Sequence, residues 1–233
     1  MRFSQFILLS VIALPMAWAA DGAANTLTAA EKADGWQLLF DGKSLDQWRG
    51  YKKEGLPSGW KAQEDGTLAR VGGGGDLISK EQFASFELQL EWKISEGGNS
   101  GIFYRATEAH NAIYESAPEM QVLDNQKHGD GKNPKTSSGA NYALIACPKD
   151  VTKPVGEWNA VRLIIKGNHV EHWLNGEQML TYELGSPAWV ELVKKSKFAN
   201  WPDYGKAATG HIGLQDHGNL VWYRNIKLRP LTP

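Results

Sequence analysis

The chain has 233 residues, with 25 Lys and Arg against 26 Asp and Glu, a formal charge of −1, ten Trp and 25 Gly. A neutral, aromatic-rich chain has no basic stripe of the kind a phosphate backbone requires, which argues against nucleic acid as a partner. The single cysteine, Cys147, excludes an internal disulfide and offers no thiolate zinc site, so it is read as a buried strand residue.

Residues 1–20 read as a signal peptide. Arg2 precedes an apolar run from Phe6 to Leu14, and Ala17-Trp18-Ala19 forms a small-x-small cleavage site, with cutting after Ala19 or Ala20. The run is too short to span a bilayer, and no cysteine stands near the cut to take a lipid, so no membrane anchor is expected. These features place the mature chain in the periplasm or outside the cell. Residues 21–34 form a lead segment, and residues 35–233 a single domain.

Within the lead, Thr28 caps a short helix to Ala33, with Glu31 three residues on. Strands then dominate. In "FELQLEWKI" (86–94), Phe86, Leu88, Leu90, Trp92 and Ile94 alternate strictly with Glu87, Gln89, Glu91 and Lys93. "SGIFYRA" (100–106) follows the turn "EGGN" and is expected to form a hairpin with it. "EMQVLD", "ANYALIA", "WNAVRLIIKG", "HVEHWLNG", "HIGLQDHG" and "VWYRNIKLRP" continue the series, with a Gly167-Asn168 hairpin turn between two of them. "PAWVELVKKSKF" (187–198) is the other helical segment. Many short strands with close turns predict an all-β, antiparallel β-sandwich with one or two short helices. A sheet face carrying Arg105, Gln121 and Trp173 in place of Val and Leu suits a carbohydrate groove.

Polar residues in strands are the candidate site. Arg105 is read either as a groove residue, its five donors suiting sugar hydroxyls or a ketone oxygen, or as a salt bridge to Glu119. Asn99 is expected to fold back on its own turn. Simple alternation puts Glu119, Gln121 and Leu123 on one face and Met120, Val122 and Asp124 on the other. A bulge near Val122 or Leu123 would bring Glu119, Gln121 and Asp124 together. His211, Gly213, Gln215 and His217 share a face by alternation, and Gln215 and His217 are candidates for the site. His128 lies in a loop long enough to reach over a groove. His172 is read both as a half-core histidine and as a proton donor. His110 and His169 are read as solvated. Trp36, Trp48, Trp92 and Trp222 are assigned to the core, and Trp173 to stacking on a pyranose ring. Tyr142 joins the substrate-binding set. Dispersed His, Asp and Glu leave a divalent metal open, without tight ligand spacing.

Five segments carry a resemblance: "GWQLLFDGKSLDQWRG", "GGNSGIFYR", "EMQVLDN", "GEWNAVRLIIKGNHVEHWLNGE" and "GHIGLQDHGNLVWYRNIKLRPL". In this order they resemble the 3-keto-disaccharide hydrolase family, over roughly Gly35 to Leu231. The resemblance implies a jelly-roll fold of the concanavalin A-like lectin/glucanase type. It also implies a secreted enzyme that cleaves glycosides already oxidised at sugar carbon 3, downstream of a glycoside 3-dehydrogenase. E-x-Q-x-x-D is similar to the E-x-D-x-x-E strand of retaining glucanases of this fold, with Gln121 in place of the middle acid and Asp124 in place of the last. On such a substrate the expected chemistry is proton abstraction at carbon 2, elimination and hydration. Glu119 or His217 would be the base, Arg105 with Gln121 or Gln215 would face the enolate oxygen, and Asp124 or His172 would donate the proton. A retaining glycosidase using Glu119 and Asp124, and a non-catalytic carbohydrate-binding module, are the alternative readings.

Overall fold

Phe86, Leu88, Leu90, Trp92 and Ile94 are buried on one side of a nine-residue strand, so the strict alternation read from the sequence builds the central strand of the larger sheet. The computed structural model describes residues 23–232, and the expected signal peptide, residues 1–20, lies outside the described residues. Among those described, no helix is long and apolar enough to cross a membrane. The larger sheet is antiparallel and eight-stranded. Its order runs Glu177–Glu183, His169–Leu174, Asn159–Lys166, Phe86–Ile94, Val221–Pro230, Leu68–Arg70 and Trp60–Ala62, with Gln37–Leu38 also pairing to Val221–Pro230.

The smaller sheet has five strands: β1 (Trp48–Gly50), β2 (Leu77–Ser79), β3 (Asn99–Ala106), β4 (Glu119–Leu123) and β5 (His211–Leu214), in the order β1-β2-β5-β3-β4. Its inward side chains, among them Leu77, Ile102, Tyr104, Met120, Val122 and Leu214, pack on the larger sheet in one core. Its other face carries a second, small apolar cluster of Tyr51, Ile78, Phe103, Ala106, Ile113 and Ala117. Two sheets sharing one core with short helical additions form the expected β-sandwich. The helices are α1 (Ala29–Ala33), closed by the Thr28–Glu31 capping box, and α2 (Pro187–Lys194), capped by Ser186.

Three local expectations are corrected. "EGGN" does not close a hairpin: the strand before it belongs to the larger sheet and β3 to the smaller, so the turn carries the chain across the sandwich. Gly97, at φ +63°, supplies the left-handed step, and its N–H donates to Asp124 Oδ2 at 2.8 Å. "ANYALIA" is not a strand. It curls over the edge of β4, with Ala143 at φ +60° and only isolated bridges at Asn141.

The third correction concerns Arg105. Ala106 pairs with His211 and Phe103 with Gly213, so β3 holds one residue more than β5 over this stretch. That bulge puts Arg105 at φ +52° and breaks the alternation that would have aimed it at the outer face. Its guanidinium instead donates to the carbonyls of Ala84 and Gly167, at 2.5 to 2.9 Å, and makes no bond to Glu119. Arg105→Ala is expected to lower the unfolding free energy by about 2–4 kcal/mol, since it removes charge-assisted bonds and leaves two carbonyls unpaired. Urea unfolding checks this; a change under about 0.5 kcal/mol would mean the guanidinium holds nothing.

Candidate active site

β4 runs without a bulge against β3, in the register Asn99↔Leu123, Gly101↔Gln121 and Phe103↔Glu119. Plain alternation therefore holds, with Met120 and Val122 in the core and Glu119 and Gln121 on the outer face. Glu119 pairs with Phe103 and is long enough to lean two residues along β3, and its carboxyl lies over Gly101. A Cβ built on Gly101 would stand 2.0 Å from Glu119 Oε1, so this glycine is required by close approach and not by its backbone angles. Next to it, Gln215 extends β5 by one residue, its N–H donating to the Gly101 carbonyl at 3.0 Å.

Around the carboxyl lies a hollow of about 140 Å³, lined by Asn99, Tyr114, Glu119, Gln121, Tyr142, Lys197, Gln215 and His217. Two irregular segments build its walls. Ile113 places its side chain in the notch above Gly213, where a Cβ would meet it at 2.5 Å, and this seats Tyr114 at the rim. Ser196 caps the turn Lys197–Asn200, and Phe198 stacks on Tyr204 with ring centroids 4.1 Å apart. That anchor holds the Lys197 ammonium 4.4 Å from the Tyr142 ring centroid and 5.8 Å from that of Tyr114. No carboxylate lies within ion-pair distance of it among the described residues.

The electrostatics of the hollow are unusual. Glu119 is 4% exposed and its carboxyl receives no hydrogen bond from a described residue. Burial pushes its pKa up to about 8, against a lowering pull from Lys197. Asn99 Oδ1, Gln121 Oε1 and Gln215 Oε1 are buried without a donor. The orientation of Gln121 is fixed by its amide nitrogen, which donates to Thr136 O at 3.1 Å. An unpaired buried acceptor costs about 1–3 kcal/mol, so three beside one hollow mark a region held under polar strain by the surrounding fold. Burial also pushes Tyr142 up to about 12, and its hydroxyl remains a donor at neutral pH.

Of the residues expected at the site, Glu119, Gln121, Tyr142, Gln215 and His217 are brought together. His128 stands just behind, its ring centroid 6.2 Å from that of His217, with Nδ1 accepting from Asp130 N. Four are not. Arg105 is tied to backbone carbonyls as described. Asp124 faces away and accepts from the N–H groups of Gly97, Gln126 and Lys127, which uses both of its oxygens. His172 is wholly buried between the sheets, bonded to Gly139 O and Tyr104 Oη, and burial holds its imidazole down to about 4. Trp173 lies on the larger sheet, donating to Glu171 Oε2, with the Arg162 guanidinium 5.5 Å from its ring centroid. His211 also leaves the shared face, because the bulge turns its ring onto Ser79 O and Gln82.

Asn99, Tyr114 and Lys197 are additions. Asn99 faces the hollow and does not fold back on its turn. Lys197 sits in a Lys-rich stretch that reads as a solvated helix end; only its neighbour Phe198, a large apolar residue after "KKSK", hints at anchoring. Among the described residues, no three His, Cys, Asp or Glu side chains gather as a metal-holding group.

This arrangement has known relatives. Residues 35–229 match the model of the 3-keto-alpha-glucoside-1,2-lyase-like domain. The chain belongs to this family of carbohydrate-active enzymes. A 3-keto-disaccharide hydrolase of Bacteroides thetaiotaomicron is 41% identical over 239 aligned positions, covering 89% of this chain and 82% of its own. The crystal structure of a putative glycosyl hydrolase from Parabacteroides distasonis superposes with a TM-score of 0.83 at 34% identity, covering 90% of this chain and all of that one. A second putative glycosyl hydrolase from the same organism gives 0.66 at 30% identity, covering 84% and 99%.

Two outcomes follow from this geometry. Gly101→Ala is expected to displace the Glu119 carboxyl and abolish ligand binding in the hollow, while circular dichroism remains that of the native sandwich. The raised pKa of Glu119 also has a stability consequence. Between about 4.5 and 8 the folded carboxyl keeps a proton that the unfolded chain has released, so its contribution to stability falls as pH rises. Glu119→Gln should therefore raise the melting temperature at pH 8 by several degrees, and by much less at pH 4.5; equal shifts at both would refute the burial effect.

Proposed function

We propose that this protein cleaves the glycosidic bond of 3-keto-glycosides, by elimination and hydration centred on Glu119. The carrying observation is a carboxyl buried without a donor among the described residues, at a hollow of about 140 Å³ lined by three amide side chains, comparable to the room a single sugar ring takes up. Family membership and the 3-keto-disaccharide hydrolase relative support the choice of substrate class.

A ketone at carbon 3 acidifies the hydrogen on carbon 2, so the reaction can begin with loss of that proton and does not need attack at the anomeric carbon. Negative charge then develops on the ketone oxygen, and the Lys197 ammonium, unpaired at the mouth of the hollow, is the cation available to it. Glu119 keeps its proton at neutral pH, because its pKa stands near 8, and so serves as the acid that protonates the departing oxygen. The amide side chains of Asn99, Gln121 and Gln215 line the hollow and are the polar groups available to the sugar hydroxyls. Tyr142 and Tyr114 offer ring faces to the sugar C–H surface, and His217, backed by His128, closes the rim. Water then adds across the new double bond and makes the net reaction a hydrolysis. In this reading the chain acts after export, on the product of a glycoside 3-dehydrogenase, as residues 1–20 and the ketone requirement together suggest.

A direct displacement by Glu119 and Asp124 is disfavoured, because Asp124 is occupied by three backbone N–H groups and faces away from the hollow. Purified protein incubated with 3-keto-trehalose in deuterated water is expected to consume it and to place deuterium at carbon 2. Trehalose itself should survive. Glu119→Gln should cut turnover by about 10²–10⁴, the usual weight of a positioned acid. Cleavage of trehalose without exchange would restore direct displacement, and binding of the keto-sugar without consumption would make the protein a binding module.

A further inference from the structure

The elimination needs a base, and the hollow itself holds Glu119 in its acid form. The outer face of the smaller sheet carries a second carboxyl one strand beyond the hollow. Ile78 belongs to the outer-face cluster, and Asp76, two residues earlier, shares its side of the strand. β5 pairs with β2 through Gly213↔Ile78 and Leu214↔Leu77, so the next step of that register sets Gln215 opposite Asp76. On its other side Gln215 donates to Gly101, over which the Glu119 carboxyl lies. Asp76, Gln215 and the Gly101–Glu119 pair thus form one row across three strands. Two strand spacings separate the ends, roughly 9.5 Å between backbones.

Asp76 is held but not satisfied. Its carbonyl accepts from Tyr51 N at 2.9 Å, and Oδ1 accepts from Asp216 N at 2.8 Å. No Lys or Arg stands within ion-pair distance of it among the described residues. The neighbouring Asp216 takes the local cation instead, bonding Arg70 at 2.6 Å and Gly75 N at 3.0 Å. Residues 72–75 are all glycine, so the segment leading to Asp76 raises no side chain that would cover it.

We propose that Asp76 is the second catalytic carboxylate, the base that removes the carbon-2 hydrogen of a 3-keto-glycoside lying over Gln215 with its anomeric oxygen toward Glu119. This rests on the elimination reading above. Asp76 takes the proton, and the C–H electrons form the enolate at carbons 2 and 3. The enolate then closes to a carbon 1–carbon 2 double bond as the carbon 1–oxygen bond breaks, and the leaving oxygen takes the proton of Glu119. Hydration reverses both transfers: Glu119 accepts a proton from the water that adds at carbon 1, and Asp76 returns its proton to carbon 2. Both carboxyls end as they began. Burial raises Asp76 to about 6, against the lowering pull of the Asp216 N–H, and so below Glu119 at about 8; at neutral pH the one is ionised and the other protonated, as the roles require.

The test separates the two roles by exchange and by leaving group, using 3-keto-trehalose and a 4-nitrophenyl 3-keto-glucoside in deuterated water. D76N is expected to lose carbon-2 exchange and turnover of both substrates by about 10²–10⁴, with D76E keeping part of the exchange. E119Q is expected to keep the exchange, lose turnover of 3-keto-trehalose and recover on the nitrophenyl substrate, whose leaving oxygen needs no acid. Exchange by folded D76N within about threefold of wild type would overturn the assignment of Asp76 alone. Absence of exchange in the wild type would overturn the elimination reading, and this assignment with it. Should D76N fail to fold, the pH profile of exchange decides: an acid limb near pH 6 retained in H217Q supports Asp76, and its loss in H217Q passes the base role to His217.

Discussion

A carboxyl laid against bare backbone, with no donor to it among the described residues, is the constraint on which the rest of the site depends. Glu119 cannot occupy that position unless Gly101 has no side chain, and it cannot be ionised there without cost, because burial removes its water and nothing replaces it. The surrounding amides sharpen this condition, since three of their oxygens are themselves buried and unpaired. A protonated carboxyl is the form such a space favours. The sheet therefore selects a proton donor at a position where a surface carboxylate would be ionised.

The two sheets divide the work. On the larger one, outward acids are neutralised in place: Glu87, although buried, bonds both Arg162 and Arg229, and those guanidinium groups hold it below the ordinary carboxylate range. On the smaller sheet Glu119 has no such partner. Between the sheets, His172, Tyr104, Tyr182 and Asn141 form a buried polar network backed by the stacked rings of Trp189 and Tyr204. These groups fix the packing behind β3 and β4 and have no access to the hollow. Similar residue types thus carry structure on one layer and chemistry on the other, and what separates them is whether a partner is already present.

The sandwich was legible because period-two alternation is a local property, as "FELQLEWKI" shows, and α1 was legible because its capping box lies within four residues. The outer-face pairing of Glu119 with Gln121 followed from the same rule. Arg105 was misplaced because one extra residue in β3 reverses the direction of every side chain past it, and nothing in "IFYRA" announces a bulge. The turn "EGGN" looks the same whether it joins neighbours in one sheet or crosses between two. Trp173 was misassigned since alternation gives a face but not which sheet the face belongs to. Lys197 and Tyr114 were out of reach for another reason: they come to the hollow on loops far from β4 in the fold's layout, seated by Phe198 in one case and Ile113 in the other. The segments of the family resemblance contain Glu119, Gln121, Gln215 and His217 but neither of these loop residues.

Arg105 binds the end of β3 to the carbonyls of Ala84, just before the strand Phe86–Ile94, and Gly167, in the turn between two other strands of the larger sheet. This rivets the floor under Glu119 to the opposite half of the molecule, leaving Gly101 and its neighbours little latitude. The walls are held differently, since Tyr114 and Lys197 are carried by irregular segments, the latter through the stack of Phe198 on Tyr204. Evolution can thus reshape the rim for bulkier or smaller glycosides by exchanging loops, while the reacting groups keep their spacing on paired strands.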